Sequence, residues 1–142
     1  VSAQLKRLLE DDEGRVPHAY QDSLGYWTIG VGHLIDKRKG GGLPDHIIDA
    51  LLDWDIEQKS SELHDALPWT AALDDVRRDT VVCMAFQLGV PGLLKFRRAL
   101  GALRDSKWEE AAAEFLDSDV AKLQTPERWK RHAKRIITGE WQ

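Results

Sequence analysis

The segments Glu13-Gly14, Ala19-Tyr20-Gln21-Asp22 and Gly25-Tyr26-Trp27-Thr28-Ile29-Gly30-Val31-Gly32-His33-Leu34 decide how this chain folds. Glycines punctuate a run of aromatic and β-branched residues, which predicts a small antiparallel hairpin or three-stranded meander from Tyr20 to His33. Tight turns are expected at Ser23-Leu24-Gly25 and between Lys37 and Gly42. Before it, Ser2 can cap a short helix carrying Leu5, Leu8 and Leu9 at helical spacing, which Gly14 and then Pro17 stop.

Everything beyond is helical in pattern. Residues 45–64 read as one long helix with Ile47, Ile48, Leu51, Leu52, Ile56 and Leu63 on a broad stripe. Pro68 ends it, and a short helix at 69–73 precedes a helix at 76–88 whose run from Val81 to Phe86 is apolar nearly all round. Within that run Cys83 reads as a buried, inert thiol. Gly89, Pro91 and Gly92 make a turn, followed by helices at 93–104 and 106–117, the second started by a Ser106/Glu109 capping box. Thr125 as N-cap, with Pro126 at the first helical position, starts a last helix that turns Trp129, Ala133, Ile136 and Ile137 inward. The fold class is α+β, mostly α. One domain over residues 1–142 is expected: a small lobe at 13–43, a linking helix at 45–64, and a helical lobe at 66–142 packed with the helix at 2–12.

Composition excludes several classes. With 42% apolar and 31% charged residues in 142, the chain can bury a core. No apolar run approaches the roughly 20 residues of a membrane span. One cysteine rules out an internal disulfide. The five histidines, His18, His33, His46, His64 and His132, show no paired metal spacing, so neither a metal site nor a cofactor is expected. Net charge is −4, yet the stretch from Gln124 onward sets Arg128, Lys130, Arg131, Lys134 and Arg135 against only Glu127 and Glu140. That basic end on an acidic body suits a polyanionic partner; the overall sign and the absence of a base-reading motif argue against nucleic acid.

Glu13, Asp22 and Thr28 are the polar residues placed for chemistry: one at a helix end, one at a hairpin turn, one in the following strand. Two carboxylates on separate elements facing one cleft are what cleavage of an acetal needs. One delivers a proton to the leaving oxygen while the other stays ionised to direct water. A hydroxyl beside them can hold that water. Gly14, Gly25, Gly30 and Gly32 leave space around them.

These segments resemble the signature of the T4-type lysozymes, glycoside hydrolase family 24, with Glu, Asp and Thr spaced nine and then six positions apart. The resemblance continues through Leu73-Asp74-Asp75-Val76-Arg77-Arg78, Met84-Ala85-Phe86-Gln87-Leu88-Gly89, Trp108-Glu109-Glu110-Ala111-Ala112, Gln124-Thr125-Pro126-Glu127-Arg128 and Thr138-Gly139-Glu140-Trp141. It implies a two-lobed lysozyme fold and a monomeric muramidase acting on the peptidoglycan glycan strand. Glu13 would be the general acid, Asp22 would position water or stabilise the oxocarbenium-like transition state, and Thr28 would help hold the water. An acid of this kind is expected to be partly buried. Leu34, Phe86 and Gln87 match sugar-lining positions, Arg128 an arginine that orients the acid, and His33 with Asp55 a structural ion pair. By the same resemblance the protein is made in a host cytoplasm and acts on periplasmic peptidoglycan, as a phage endolysin or a virion-associated lysin. A lytic transglycosylase and a catalytically silent wall-binding module are the alternatives. The segment after His33 is shorter than the family's, and Ala99 and Glu114 stand where the family has sugar-contacting polar residues.

Overall fold

The computed structural model describes residues 2–35 and 42–141. Most of the expected turn between Lys37 and Gly42 lies outside the described residues. Internal contacts divide the chain into two units, Val1–Leu51 and Leu52–Gln142.

In the first unit, helix α1 (Ala3–Glu13) begins as the sequence predicts, with the Ser2 hydroxyl accepting from the Leu5 amide at 3.1 Å. It ends at Gly14, whose φ of 76° is open to glycine and costly for other residues, and whose amide donates to the Glu10 carbonyl. Leu5, Leu8 and Leu9 are about half exposed on this helix. The sheet is the three-stranded meander: β1 (Val16–Gln21), β2 (Trp27–Gly30) and β3 (His33–Leu34), all antiparallel in the order β1-β2-β3. β1 starts four residues before the expected Tyr20. Pro17 is tolerated inside it because β1 is an edge strand, where a missing amide leaves no neighbour unpaired.

Helix α2 (Asp45–Ala66) is as long as its pattern predicts, and the boundary between the units falls within it, at Leu51 and Leu52. Its stripe is not covered as expected: only Leu63 is buried, while Ile48, Leu51, Leu52 and Ile56 stay more than 40% exposed.

The second unit has its core among α3 (Asp75–Leu93), α4 (Arg97–Arg104), α5 (Trp108–Leu116) and α6 (Pro126–Thr138). A 3-10 turn, Pro68–Ala72, follows α2. Gly89, at φ 72° and ψ 154°, breaks α3 where a turn was expected, but the chain re-enters helix through Pro91 to Leu93. Trp129 of α6 is fully buried between the rings of Phe96 and Phe115, at 5.7 and 6.0 Å between centroids. Arg77 ties the start of α3 to the end of α6. Its guanidinium donates to the carbonyls of Ile136 and Ile137 at 2.7 and 3.0 Å and lies 4.1 Å over the Trp108 ring.

Four local expectations need correction. Ser106 does not cap α5: it sits at φ 59° and closes α4, the Lys107 amide donating to the Ala102 carbonyl, so the backbone demand of the first helix overrides the capping box. A π-helical segment, Val120–Gln124, occupies a stretch for which no element was expected. Ile137 is 41% exposed, and His132 takes the inward position instead. Cys83 is exposed, because α3 is covered on the side of Val81, Met84 and Ala85 while Cys83 and Phe86 face a cavity.

Candidate active site

The β1–β2 turn is built around Asp22. Its Oδ1 accepts from the amides of Leu24 and Tyr26, both at 2.9 Å, and its own amide donates to the Tyr26 carbonyl at 2.9 Å. Among the described residues Oδ2 has no partner. The register Tyr20↔Thr28 and Gln21↔Trp27 then brings Thr28 beside the turn. Thr28 is buried, 5% exposed, and its hydroxyl donates to the same Tyr26 carbonyl at 3.2 Å. Asp22 and Thr28 therefore hang from one backbone oxygen, each with lone pairs left to accept from a water.

Glu13 reaches this sheet from the end of α1. A Cβ added to Gly32, in the tight turn between β2 and β3, would lie 2.9 Å from Glu13 Oε2. The carboxylate thus rests over a glycine whose φ is +63°. β3 pairs Leu34 with Thr28, which sets the exposed Leu34 on the neighbouring strand. Glu13, Asp22, Thr28 and Leu34 are thereby gathered within the first unit. Glu13 itself is exposed, so the partial burial expected of an acid is not found.

The other candidates divide between the units. His33 is an exposed residue of β3 in the first unit, and Asp55 an exposed residue of α2 in the second. In the second unit Phe86 and Arg128 border one cavity of about 560 Å³, together with Arg131, His132 and Arg135. Gln87, next to Phe86 on α3, donates from Nε2 to the Thr125 hydroxyl at 3.0 Å. Ala99 is buried in the core, so that position offers nothing to a ligand.

The chain matches the phage lysozyme family model over residues 10–137. It belongs to the phage lysozyme family. "Probable T4-type lysozyme 1" of Dictyostelium discoideum is 32% identical, the alignment covering 96% of this chain and 95% of that protein. A second protein of the same organism, "Probable T4-type lysozyme 2", is 29% identical over the same shares. The "Pre-baseplate central spike protein Gp5" of Enterobacteria phage T4 is 31% identical over 95% of this chain but only 28% of its own length. Membership in the phage lysozyme family makes the chain a lysozyme-type peptidoglycan hydrolase, hence a glycoside hydrolase. Among the described residues no single helix is long and apolar enough to cross a membrane.

Two features of the second unit were missed in the sequence. The Gln87–Thr125 bond joins residues 38 positions apart and leaves no local signal. His132 did leave one: it lies three residues after Trp129 and four before Ile136, on the buried face of α6. It is 4% exposed, packs edge-on to Trp129, and neither ring nitrogen has a partner among the described residues. Burial, reinforced by the charges of Arg135, Arg128 and Arg131, holds its pKa down to about 4.

An unfolded histidine titrates near 6.5, so between pH 6.5 and 4 the unfolded chain binds a proton that the folded one refuses. The resulting stability is complete above pH 6.5 and is lost as pH falls toward 4. Urea melts should show a loss of about 2–3 kcal/mol from this group between pH 7 and 4.5. His132→Leu should flatten that part of the profile. An unchanged slope in the variant would mean that His132 titrates normally in the fold.

Proposed function

We propose that this chain is a muramidase that hydrolyses the β-1,4 bond between N-acetylmuramic acid and N-acetylglucosamine, with inversion at the anomeric carbon. Glu13 gives its proton to the departing glycosidic oxygen. Asp22, as carboxylate, orients the attacking water, takes its proton at Oδ2 as the new carbon–oxygen bond forms, and balances the positive charge that develops on the sugar ring. Thr28 accepts a hydrogen bond from the same water, since its own hydroxyl proton is committed to Tyr26. Two carboxyl groups and a water complete the reaction without a cofactor.

The observation that carries this reading is the shared anchor of Asp22 and Thr28 on the Tyr26 carbonyl, with Glu13 seated over Gly32 of the same small sheet. Leu34 of the first unit and Phe86 and Gln87 of the second are the sugar-lining side chains that the resemblance gives. The enzyme acts as a monomer on periplasmic peptidoglycan after synthesis in a host cytoplasm, as an endolysin or a virion-associated lysin. The likeness to a phage spike protein supports that setting.

Mass spectrometry of fragments released from purified sacculi tests the bond and the reaction together. Hydrolysis leaves reducing N-acetylmuramic acid ends. Fragments ending in 1,6-anhydro sugars would make the chain a lytic transglycosylase, and no release at all would make it a wall-binding module.

Gly32→Ala tests the seat of the acid. The new methyl group would displace the Glu13 carboxylate, and a positive φ costs a non-glycine residue about 1–2 kcal/mol. The methyl group meets the far end of a flexible side chain, so the shift is small, and kcat should fall by about threefold to tenfold. Steady-state rates read beside a thermal melt check this. A melting shift of the expected size with an unchanged kcat would show that Gly32 shapes the turn alone.

A further inference from the structure

Thr125 stands directly before Pro126, where a threonine would ordinarily spend its hydroxyl on capping the helix. It does not: no side-chain cap is made, and the residue sits at φ −137° and ψ 61°. Its backbone is fixed at both ends instead. The Thr125 amide donates to the Val120 carbonyl at 3.0 Å, closing the π-helical segment, and the Thr125 carbonyl accepts from the Trp129 amide at 3.2 Å. Trp129 is fully buried, so this anchor is part of the core. The hydroxyl that remains receives the Gln87 Nε2 amide at 3.0 Å, across from α6 to α3. Gln87 is half-buried, and its Oε1 is buried with no protein partner. The Thr125 hydroxyl is the one protein group holding this amide in place among the described residues.

We propose that Thr125 is a positioning residue for substrate binding: it pins the Gln87 side chain before the glycan arrives. This rests on the reading of Gln87 as a sugar-lining residue. A free glutamine samples several rotamers and loses that freedom on binding; one already tethered to a core-anchored hydroxyl has lost it in advance. The contact acts on binding and not on bond breaking, since Thr125 and Gln87 belong to neither the acid nor the water-holding pair.

Thr125→Val keeps the branched shape and removes only the hydroxyl, and no helix cap is lost with it. With a soluble glycan-strand fragment as substrate, KM should rise about three- to tenfold with kcat within about twofold, the size of one hydrogen bond. Thr125→Ser should restore KM. Gln87→Ala should raise KM at least as much, and adding Thr125→Val to it should change nothing further. If Gln87→Ala leaves KM unchanged, Gln87 is no sugar contact and both readings of this face fall. If Gln87→Ala raises KM and Thr125→Val does not, only the positioning role falls. A Thr125→Ser variant as impaired as Thr125→Val would assign the effect to packing and overturn the proposal. Circular dichroism verifies folding of each variant, with Thr125→Ala in place of Val should the latter not fold.

Discussion

Glu13→Gln leaves the protein folded and removes its lytic activity. Among the described residues the Glu13 side chain makes no hydrogen bond or ion pair, and it is exposed at the end of α1. Exposed substitutions of this kind change stability by about 0.5 kcal/mol or less. Glutamine has the same shape and rests over Gly32 in the same way, but it cannot release a proton to a leaving oxygen. General acid catalysis contributes about 10²- to 10⁴-fold, and the loss should lie in that range or beyond it. Turbidity decay of outer-membrane-stripped Gram-negative cells gives the rate, and a thermal melt shows that the fold is kept. A variant that still clears cells within tenfold of the parent would remove Glu13 from the role of acid.

What could be read in the sequence follows from how local each determinant is. Ser2, Gly14 and the glycine-rich run at 25–32 act on their own backbone, so α1 and the meander were legible before any coordinates. The places of Glu13, Asp22 and Thr28 were legible for the same reason, being fixed by a helix end, an Asx turn and a two-residue strand register, but it was the resemblance that singled them out from the other acidic residues. Ser106 and Thr125 mark the limit of that logic. Each matches a capping pattern, yet Ser106 is taken by the end of the preceding helix and the Thr125 hydroxyl by a glutamine 38 residues earlier. Cys83 shows the same limit in packing: an apolar run declares that a helix is buried on one face, but which residues that face includes depends on the neighbouring helices. His132 obeyed the 3.6-residue period and was hidden only by its polarity.

Asp22→Asn should lower kcat by about a hundredfold or more while the β1–β2 turn stays intact, and the geometry makes this an unusually clean substitution. Asp22 has two duties that reside on different oxygens. Oδ1 receives the Leu24 and Tyr26 amides and shapes the turn; Oδ2 has no partner among the described residues and carries the chemistry in the proposed mechanism. An asparagine keeps a carbonyl oxygen for both amides, so the turn survives. It places an NH₂ group where Oδ2 stood, replacing an acceptor with a donor and removing the negative charge that faces the developing oxocarbenium ion. Asp22→Ala separates the two duties from the other direction. It removes the charge and also leaves two amides without their acceptor, so it should match Asn in lost rate and add a destabilisation of about 1–3 kcal/mol. Rates on purified sacculi, set beside urea melts of both variants, give the comparison. If Asn retains near-parental turnover while Ala is inactive and unstable, Asp22 serves the turn alone, and the water must be directed by another group.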